Sequence, residues 1–344
     1  MSIHAMAAGV ASLNGAGAIL DVFYPDIVFE AEVALAERAA GIVGLADDQS
    51  WTRLSAASAR QLAEALPPLA ESLLTIAGGV DSMPSDRAAV FTLLRRDVAL
   101  ENAAEAYLKL HLLSHRLVAP NAQNLQNLFA VLPNVAWTSE GAVDPSELKQ
   151  RQLQARLRGG HLQVYSIDKF PQLSNYLAPS GVRMADAIRV RLGASLGEGT
   201  TVMHEGFVNF NAGAAGPNMI EGRLSQGVTM GAHSDLGGSA STMGTLSGGG
   251  TIVNSLGANC LVGANAGMGI PLGDRCTIEA GLYITAGTLV TVLDEDGQVV
   301  NTVKARDLAG QSDMLFIRNS VSGRVECRTN RRAIELNEAL HKHN

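Results

Sequence analysis

Chemistry in this sequence has to be sought among few side chains, most of them in the second half. His204 and His233 could each act as a general base, since imidazole titrates near neutrality. Only these two histidines fall inside the glycine-rich region 193–287, one short of the three that a tris-histidine zinc centre takes. Cys260, Cys276 and Cys327 are odd in number and lack CxxC spacing, which leaves them as reduced, structural thiols. Gly15 and Gly17 look like part of a phosphate loop, but a third glycine and a strand–helix setting are not evident. Glu221 and Arg223, two residues apart, taken alone make an ion pair, and Lys304 and Arg318 taken alone are surface cations.

The charge balance narrows the partners. Against 33 acidic residues stand 26 basic ones, for a formal net charge of −7 with no long basic run, so nucleic acid is not an expected partner. Hydrophobic residues make up 47% and charged residues 17%, which excludes general disorder and leaves material for a sizeable core. The opening stretch lacks a positive region ahead of its apolar residues, and Asp21 interrupts it before it could span a bilayer. No membrane association is expected, and the cytoplasm is the expected compartment. A length of 344 residues implies two or three units.

The elements that must position these side chains fall into two compositional halves. Residues 1–150 read as a mixed α/β or largely helical domain, with helical periodicity over 31–45, 58–77 and 86–118. Pro67 and Pro68 should break the second stretch, since proline lacks the backbone donor and clashes with the preceding turn. Residues 144–158 predict a solvated helix with Asp144 as N-cap and Pro145 at its first position.

Beyond about residue 180 the pattern changes, and 22 of the 36 glycines fall in 193–287. Apolar residues recur every six positions at Val190, Leu196, Val202 and Val208, at Met230 and Leu236, at Leu256, Val262 and Met268, and at Leu272, Ile278, Ile284 and Val290. Glycine often follows directly, as in Leu196-Gly197, Met243-Gly244 and Leu256-Gly257. A hexapeptide period is a solenoid signature: each short strand sends one apolar side chain inward, and three strands complete a coil. A glycine-rich sandwich would instead show period-two alternation, which these segments do not sustain. Breaks in the frame near 210–220 and 244–255 predict loops leaving the coil. This domain is expected to run over 151–290, and 291–344 predicts a hairpin turning at Asp296-Gly297 and a final helix over 331–341.

The segment MHEGFVNFNAGAAGPNMIEGRLSQGVTMGAHSDLGGSASTMGTLSGGG, from Met203 to Gly250, closely resembles the tetrahydrodipicolinate N-succinyltransferases, a family within the hexapeptide-repeat acyltransferases. The likeness continues through LVGANAGMGIPLGDRCTIEAGLYITAGTLV, VKARDL and FIRNSVSG, and covers about 160–325. It implies a mainly β chain: a left-handed parallel β-helix with an N-terminal α/β domain and a small C-terminal domain, assembled as a homotrimer. The implied reaction moves succinyl from succinyl-CoA to the amino group of ring-opened tetrahydrodipicolinate, so the partners are small molecules. By this resemblance Glu221 is the catalytic carboxylate, either through an acyl anhydride or as general base, Arg223 pairs with the succinyl carboxylate, and the Gly244 N–H serves the oxyanion.

For coenzyme A the matching positions are Gly238, Ser241, Ala264, Glu279, Ala280, Gly287, Lys304, Ile317, Arg318, Asn319 and Ser320, with Lys304 and Arg318 as phosphate partners. Glu205 matches a structural magnesium ligand on the trimer axis, but Ile188 stands where the related proteins carry Asp, so the second carboxylate is missing. Two other readings share the period: an acetyl-CoA-dependent transferase, and a non-catalytic β-helix serving binding or assembly.

Overall fold

The computed structural model describes residues 4–248 and 251–329, so the helix expected over 331–341 lies outside the described residues. These residues form two compact units, one from 4–112, 122–171 and 175–177, the other from 113–121, 172–174 and 178–329. No helix among them is long and apolar enough to cross a membrane.

The first unit is built on an antiparallel sheet whose strand order is Ile19–Phe29, Ala5–Leu13, Arg87–Leu94, Trp51–Arg53. Gly15 and Gly17 form the turn of its first hairpin, where Gly17 takes φ +80° and the Gly15 N–H donates to the Glu147 carboxylate at 2.6 Å. A loop whose donor is already spent on a carboxylate is not a phosphate cradle. Helices Val33–Val43, Ala56–Ala65 and Ala70–Gly79 cover one face, packing Ala36, Leu62 and Leu73 on Met6, Phe91 and Leu93. The break at the prolines is present as a 3-10 turn, Pro67–Leu69.

Two expectations for this unit need correction. The stretch 86–118 is not one helix: Arg87–Leu94 is a central strand, and the helix begins only at Ala103. Almost every residue of that strand is buried, so the alternation that would have marked it is absent, as happens when a strand is covered on both faces. Likewise the later helix runs Leu148–Leu157 with Glu147 at its cap, not Asp144. The Asp144 side chain is instead used in a turn, accepting from the Ser146 N–H and hydroxyl and from Asn14 Nδ2.

In the second unit, short strands visit three parallel faces in rotation. Thr200–Val202 lies on the first face, Phe207–Val208 on the second, Gly213–Ala214 on the third, and Asn218–Ile220 returns to the first. Val202 then pairs with Ile220, Val208 with Leu224 and Ala214 with Met230, so inward side chains stack on one another. Val202, Val208, Ile220, Leu224, Leu236, Val262, Ile278 and Ile284 are all fully buried. Each such side chain contributes about 1.5–3 kcal/mol of transfer free energy, and none could be buried without the circuit above or below it.

The glycine after the inward residue has a specific cause. A Cβ on Gly197 would stand 2.0 Å from the Ala215 carbonyl oxygen, and one on Gly257 would stand 2.4 Å from the Gly273 carbonyl carbon, so adjacent circuits approach too closely for any side chain. Of the two expected loops, only 244–254 leaves the circuit, closed by a Thr245–Val253 bridge. The segment 210–220 stays in register, because Ala214 fills the inward position midway between Val208 and Ile220. The frame had not broken; a small residue had taken the slot. Past Ile284, strands Leu289–Leu293 and Val299–Lys304 form the expected hairpin, with Gly297 at φ +79°.

Candidate functional site

At the corner between the first and second faces, inward residues are ordinarily six apart, as from Val202 to Val208, Val262 to Met268 and Ile278 to Ile284. One corner is shorter: Ile220 and Leu224 are four apart and enclose Glu221, Gly222 and Arg223. Gly222 permits this, since a Cβ there would stand 2.3 Å from the Ala240 carbonyl oxygen. The Glu221 N–H donates to Leu236 O at 2.8 Å and the Arg223 N–H to Ala240 O at 2.7 Å, which fixes the backbone on both sides.

The half-buried Glu221 carboxylate accepts no hydrogen bond from the described residues and is free to meet a ligand. Glu205, at the corresponding corner one circuit earlier, approaches the same place. A Cβ on Gly238 would lie 3.6 Å from Glu221 Oε2 and 3.7 Å from Glu205 Oε2. Arg223 points along the second face, where its Nε and Nη2 donate to Ser241 Oγ at 3.2 and 2.6 Å. Its guanidinium is therefore held by a hydroxyl that leaves its charge uncompensated, and among the described residues it forms no ion pair with Glu221.

The same corner carries further residues upward. Asn265 N–H donates to Gly238 O at 2.9 Å and Gly281 N–H to Ala264 O at 2.8 Å, so Gly238, Ala264 and Ala280 stack. Glu279 Oε2 accepts from the Arg318 N–H at 2.7 Å, which ties the corner to the hairpin tip holding Ile317, Asn319 and Ser320. That tip is ordered by Asn319, whose Oδ1 accepts from Val321 and Ser322 N–H and whose Nδ2 donates to Glu326.

A second group lies at the next corner, between the second and third faces. Gly244 sits level with Gln226, whose carbonyl oxygen would be 3.1 Å from a Gly244 Cβ. Gln226 follows Glu221 by five residues, so the second face lies between Gly244 and Glu221, a path of at most about 17 Å at about 3.3 Å per residue of extended chain. Gly287 and Lys304 share the Gly244 corner. Ser247 Oγ accepts from Ala286 N–H at 2.5 Å, Ala305 N–H donates to Thr288 O at 2.8 Å, and Arg306 N–H to Ala286 O at 3.2 Å. The structure thus gathers Glu221, Arg223, Gly238, Ser241, Ala264, Glu279, Ala280 and 317–320 on one edge, and leaves Gly244, Gly287 and Lys304 on another.

The remaining candidates stand apart from both edges or lack partners for their role. His233 occupies the corner between the third and first faces with φ +58°, its N–H donating to Pro217 O. Glu205 Oε1 is 3.8 Å from His204 Nε2. Ile188 is half exposed and offers no oxygen, and among the described residues no three His, Cys, Asp or Glu side chains are placed to hold a metal. Of the expected magnesium pair, then, this chain supplies the Glu205 carboxylate alone. Cys260, Cys276 and Cys327 are buried in the core; a hydrogen bond given by the Cys260 thiol to the Cys276 side chain, together with burial, pushes Cys260 up, and burial raises Cys327 to about 12.

The family described as tetrahydrodipicolinate N-succinyltransferase, middle, matches residues 132–172, and the hexapeptide repeat of succinyl-transferase matches 253–286. A 2,3,4,5-tetrahydropyridine-2,6-dicarboxylate N-succinyltransferase of Pseudomonas putida is 56% identical over 343 residues, covering 100% of this chain and 99% of that one. The chain belongs to the tetrahydrodipicolinate N-succinyltransferase family. The Vibrio cholerae member is 49% identical over 344 residues, covering all of both chains. A solved Campylobacter jejuni chain, provisionally named 2,3,4,5-tetrahydropyridine-2-carboxylate N-succinyltransferase, superposes with TM-score 0.85 at 28% identity, over 97% of this chain and 94% of that one.

Family likeness therefore reaches further than the 160–325 expected from the motifs, and the N-terminal third is part of it. Sequence reasoning passed over Ser247 and Asn254, which fasten the Gly244 loop. Their one signal was position: both lie in the interval where the six-residue frame is interrupted.

Proposed function

We propose that this chain transfers succinyl from succinyl-CoA to the amino group of ring-opened tetrahydrodipicolinate, an N-acylation serving diaminopimelate and lysine synthesis in the cytoplasm. What carries the reading is Glu221: an unpartnered carboxylate at a tightened corner, beside a guanidinium held on Ser241 and not neutralised. Arg223 takes the free carboxylate of the succinyl group through its fork. Glu221 first takes one proton from the acceptor ammonium; the free amine then forms the amide bond as the thioester C–S bond breaks, and its second proton goes to the leaving thiolate, giving coenzyme A as the thiol. In the covalent variant Glu221 attacks the thioester first and the amine attacks the resulting anhydride. A burst of thiol without acceptor, stoichiometric with the sites, separates the two routes, since the direct route releases thiol only as fast as amine or water attacks.

The fold proposed with this activity is a left-handed parallel β-helix over 151–290, with an N-terminal α/β domain over 1–150 and a C-terminal portion from 291. The rotation of strands over three faces and the hexapeptide-repeat match support it. The proposed assembly is a homotrimer, supported by the placing of Glu221 and Gly244 at different corners: with the second face between them, the oxyanion donor of each site would come from a neighbouring copy. Coenzyme A then lies between two copies, meeting Gly287 and Lys304 of one and 317–320 of the other.

The test measures free thiol from succinyl-CoA with 2-aminopimelate as a stable acceptor analogue, native chain against Glu221→Ala. Release by the native chain alone supports succinyl transfer through Glu221; no release from either overturns it.

A further inference from the structure

We infer that Asn254 is a positioning residue that aims the Gly244 N–H. Gly244 opens a loop that leaves the circuit, and across it Thr229 pairs with Ser255, 26 residues on, where neighbouring pairs are 16 or 18 apart. The loop closes through the Thr245–Val253 bridge and a 2.8 Å bond from Leu246 N–H to Ile252 O. Asn254 sits at its base with 0% exposure.

Three successive carbonyls end on this residue. Asn254 Nδ2 donates to Met243 O at 2.8 Å and to Thr245 O at 3.0 Å, and its backbone N–H donates to Gly244 O at 3.0 Å. Both hydrogens of the amide are thereby used. A peptide unit is planar with its N–H opposed to its C=O, so holding Met243 C=O on one side sets the Gly244 N–H on the other. Among the described residues that N–H has no acceptor, whereas the preceding one, Met243 N–H, is spent on Met268 O at 2.9 Å. A donor fixed before the substrate arrives needs no reorganisation when charge develops on the thioester oxygen.

A second observation shows that the amide is there for its donors. Asn254 Oδ1 is buried with no partner among the described residues, a condition that costs stability, and the side chain is oriented with the NH2 toward the carbonyls nonetheless. An aspartate of the same shape would turn an oxygen toward both carbonyls and release the peptide unit.

This inference rests on the reading of Gly244 as the oxyanion donor, and the experiment keeps the two apart. Asn254→Asp, Asn254→Ala and Gly244→Pro are prepared in the full chain, with kcat and KM for succinyl-CoA and the Kd of coenzyme A, which carries no acyl carbonyl. Both Asn254 variants are expected to lose about 10- to 100-fold in kcat, with KM and the coenzyme A Kd within about twofold of native. Asn254→Asp/Gly244→Pro should be no slower than Gly244→Pro alone. If Gly244→Pro loses activity while the Asn254 variants keep native kcat, the positioning role fails and the oxyanion reading survives. If Gly244→Pro turns over normally, the oxyanion reading falls and this inference with it. Failure of both Asn254 variants to fold, or a matching rise in KM, makes Asn254 a structural residue and overturns the inference.

Discussion

Glu205 and Glu221, one circuit apart, bring a carboxylate oxygen each to the space above Gly238, 3.7 and 3.6 Å from where its Cβ would be. Those distances are ordinary van der Waals contacts, so Gly238→Ala should fold normally. Its methyl would occupy the gap between the carboxylates, and kcat/KM for the acceptor is expected to fall roughly 10- to 100-fold through displacement of the bound amine. Gly222→Ala is the opposite case. Its Cβ would meet the Ala240 carbonyl oxygen at 2.3 Å, and backbone on both sides has to move. A loss of about 3 kcal/mol is expected there. Thermal melting and steady-state kinetics on the two variants check both statements: the first should lose rate and keep its Tm, the second should lose its Tm.

The proposed role of Arg223 makes donor choice its test. Removing a charge-assisted hydrogen bond costs about 1.5–3 kcal/mol, so Arg223→Ala should lower kcat/KM for succinyl-CoA by roughly 10- to 100-fold. The acetyl group has no free carboxylate, so any turnover of acetyl-CoA should hardly change. Ser241→Ala, which removes the hydroxyl that both Nε and Nη2 of Arg223 address, should move the succinyl rate in the same direction by less. Equal loss with both donors would mean that Arg223 holds the coenzyme or the fold and not the succinyl group.

The inward residues of the circuits were legible in sequence because burial there is one-dimensional: each slot takes one side chain, and Leu196, Val202 and Val208 announce it every six residues. Where Ala214 or Thr242 fills a slot, the period continues without a large apolar side chain to mark it, and the frame is hidden in the sequence. The N-terminal sheet was less legible for the converse reason. Ala5–Leu13 and Arg87–Leu94 are buried almost throughout, so neither shows alternation, and small residues such as Ala7, Ala8, Ala88 and Ala89 serve helix and strand equally. At the site, motifs nominated residues and left their grouping open. Glu221 and Gly244 stand in one continuous motif, yet a corner and a face lie between them, a fact set by strand register and not by spacing along the chain.

Acid should weaken the first unit in two stages. Burial holds the His4 imidazole below its ordinary 6.5, so on acidification the unfolded chain takes up that proton first, and stability falls as pH drops below about 6.5. Burial alone would raise Asp97, but the hydrogen bond from Lys109 Nζ at 2.6 Å, the Asn124 N–H and the Lys109 charge outweigh it and hold Asp97 below 3.8. A carboxyl depressed in the folded state stabilises above its unfolded value and loses that contribution as pH falls through the folded one. Lys109 has a side chain only 1% exposed, so Asp97→Asn strands a buried charge and should cost about 3 kcal/mol at pH 7. Urea unfolding at pH 7 and pH 3 checks this: the gap between native and variant should narrow at pH 3, and a constant gap would assign the loss to packing.

The separation of Glu221 from Gly244 makes a prediction that no single-chain site could meet. Glu221→Gln assemblies lack the carboxylate at every site, and Gly244→Pro assemblies lack the donor, so each alone should be nearly inactive. In the proposed cyclic assembly each site would take Glu221 from one copy and Gly244 from the next, so mixed assemblies would contain sites at which both native residues meet. Unfolding and refolding the two variants together in equal amounts should restore about a quarter of native activity, the fraction of interfaces with the productive order under random association. Mixing without subunit exchange should restore nothing. Recovery after co-refolding would establish that the site is shared between copies, whereas its absence, with mixed assemblies verified by mass, would return both residues to one chain and require the Gly244 loop to reach Glu221 by a rearrangement of its own.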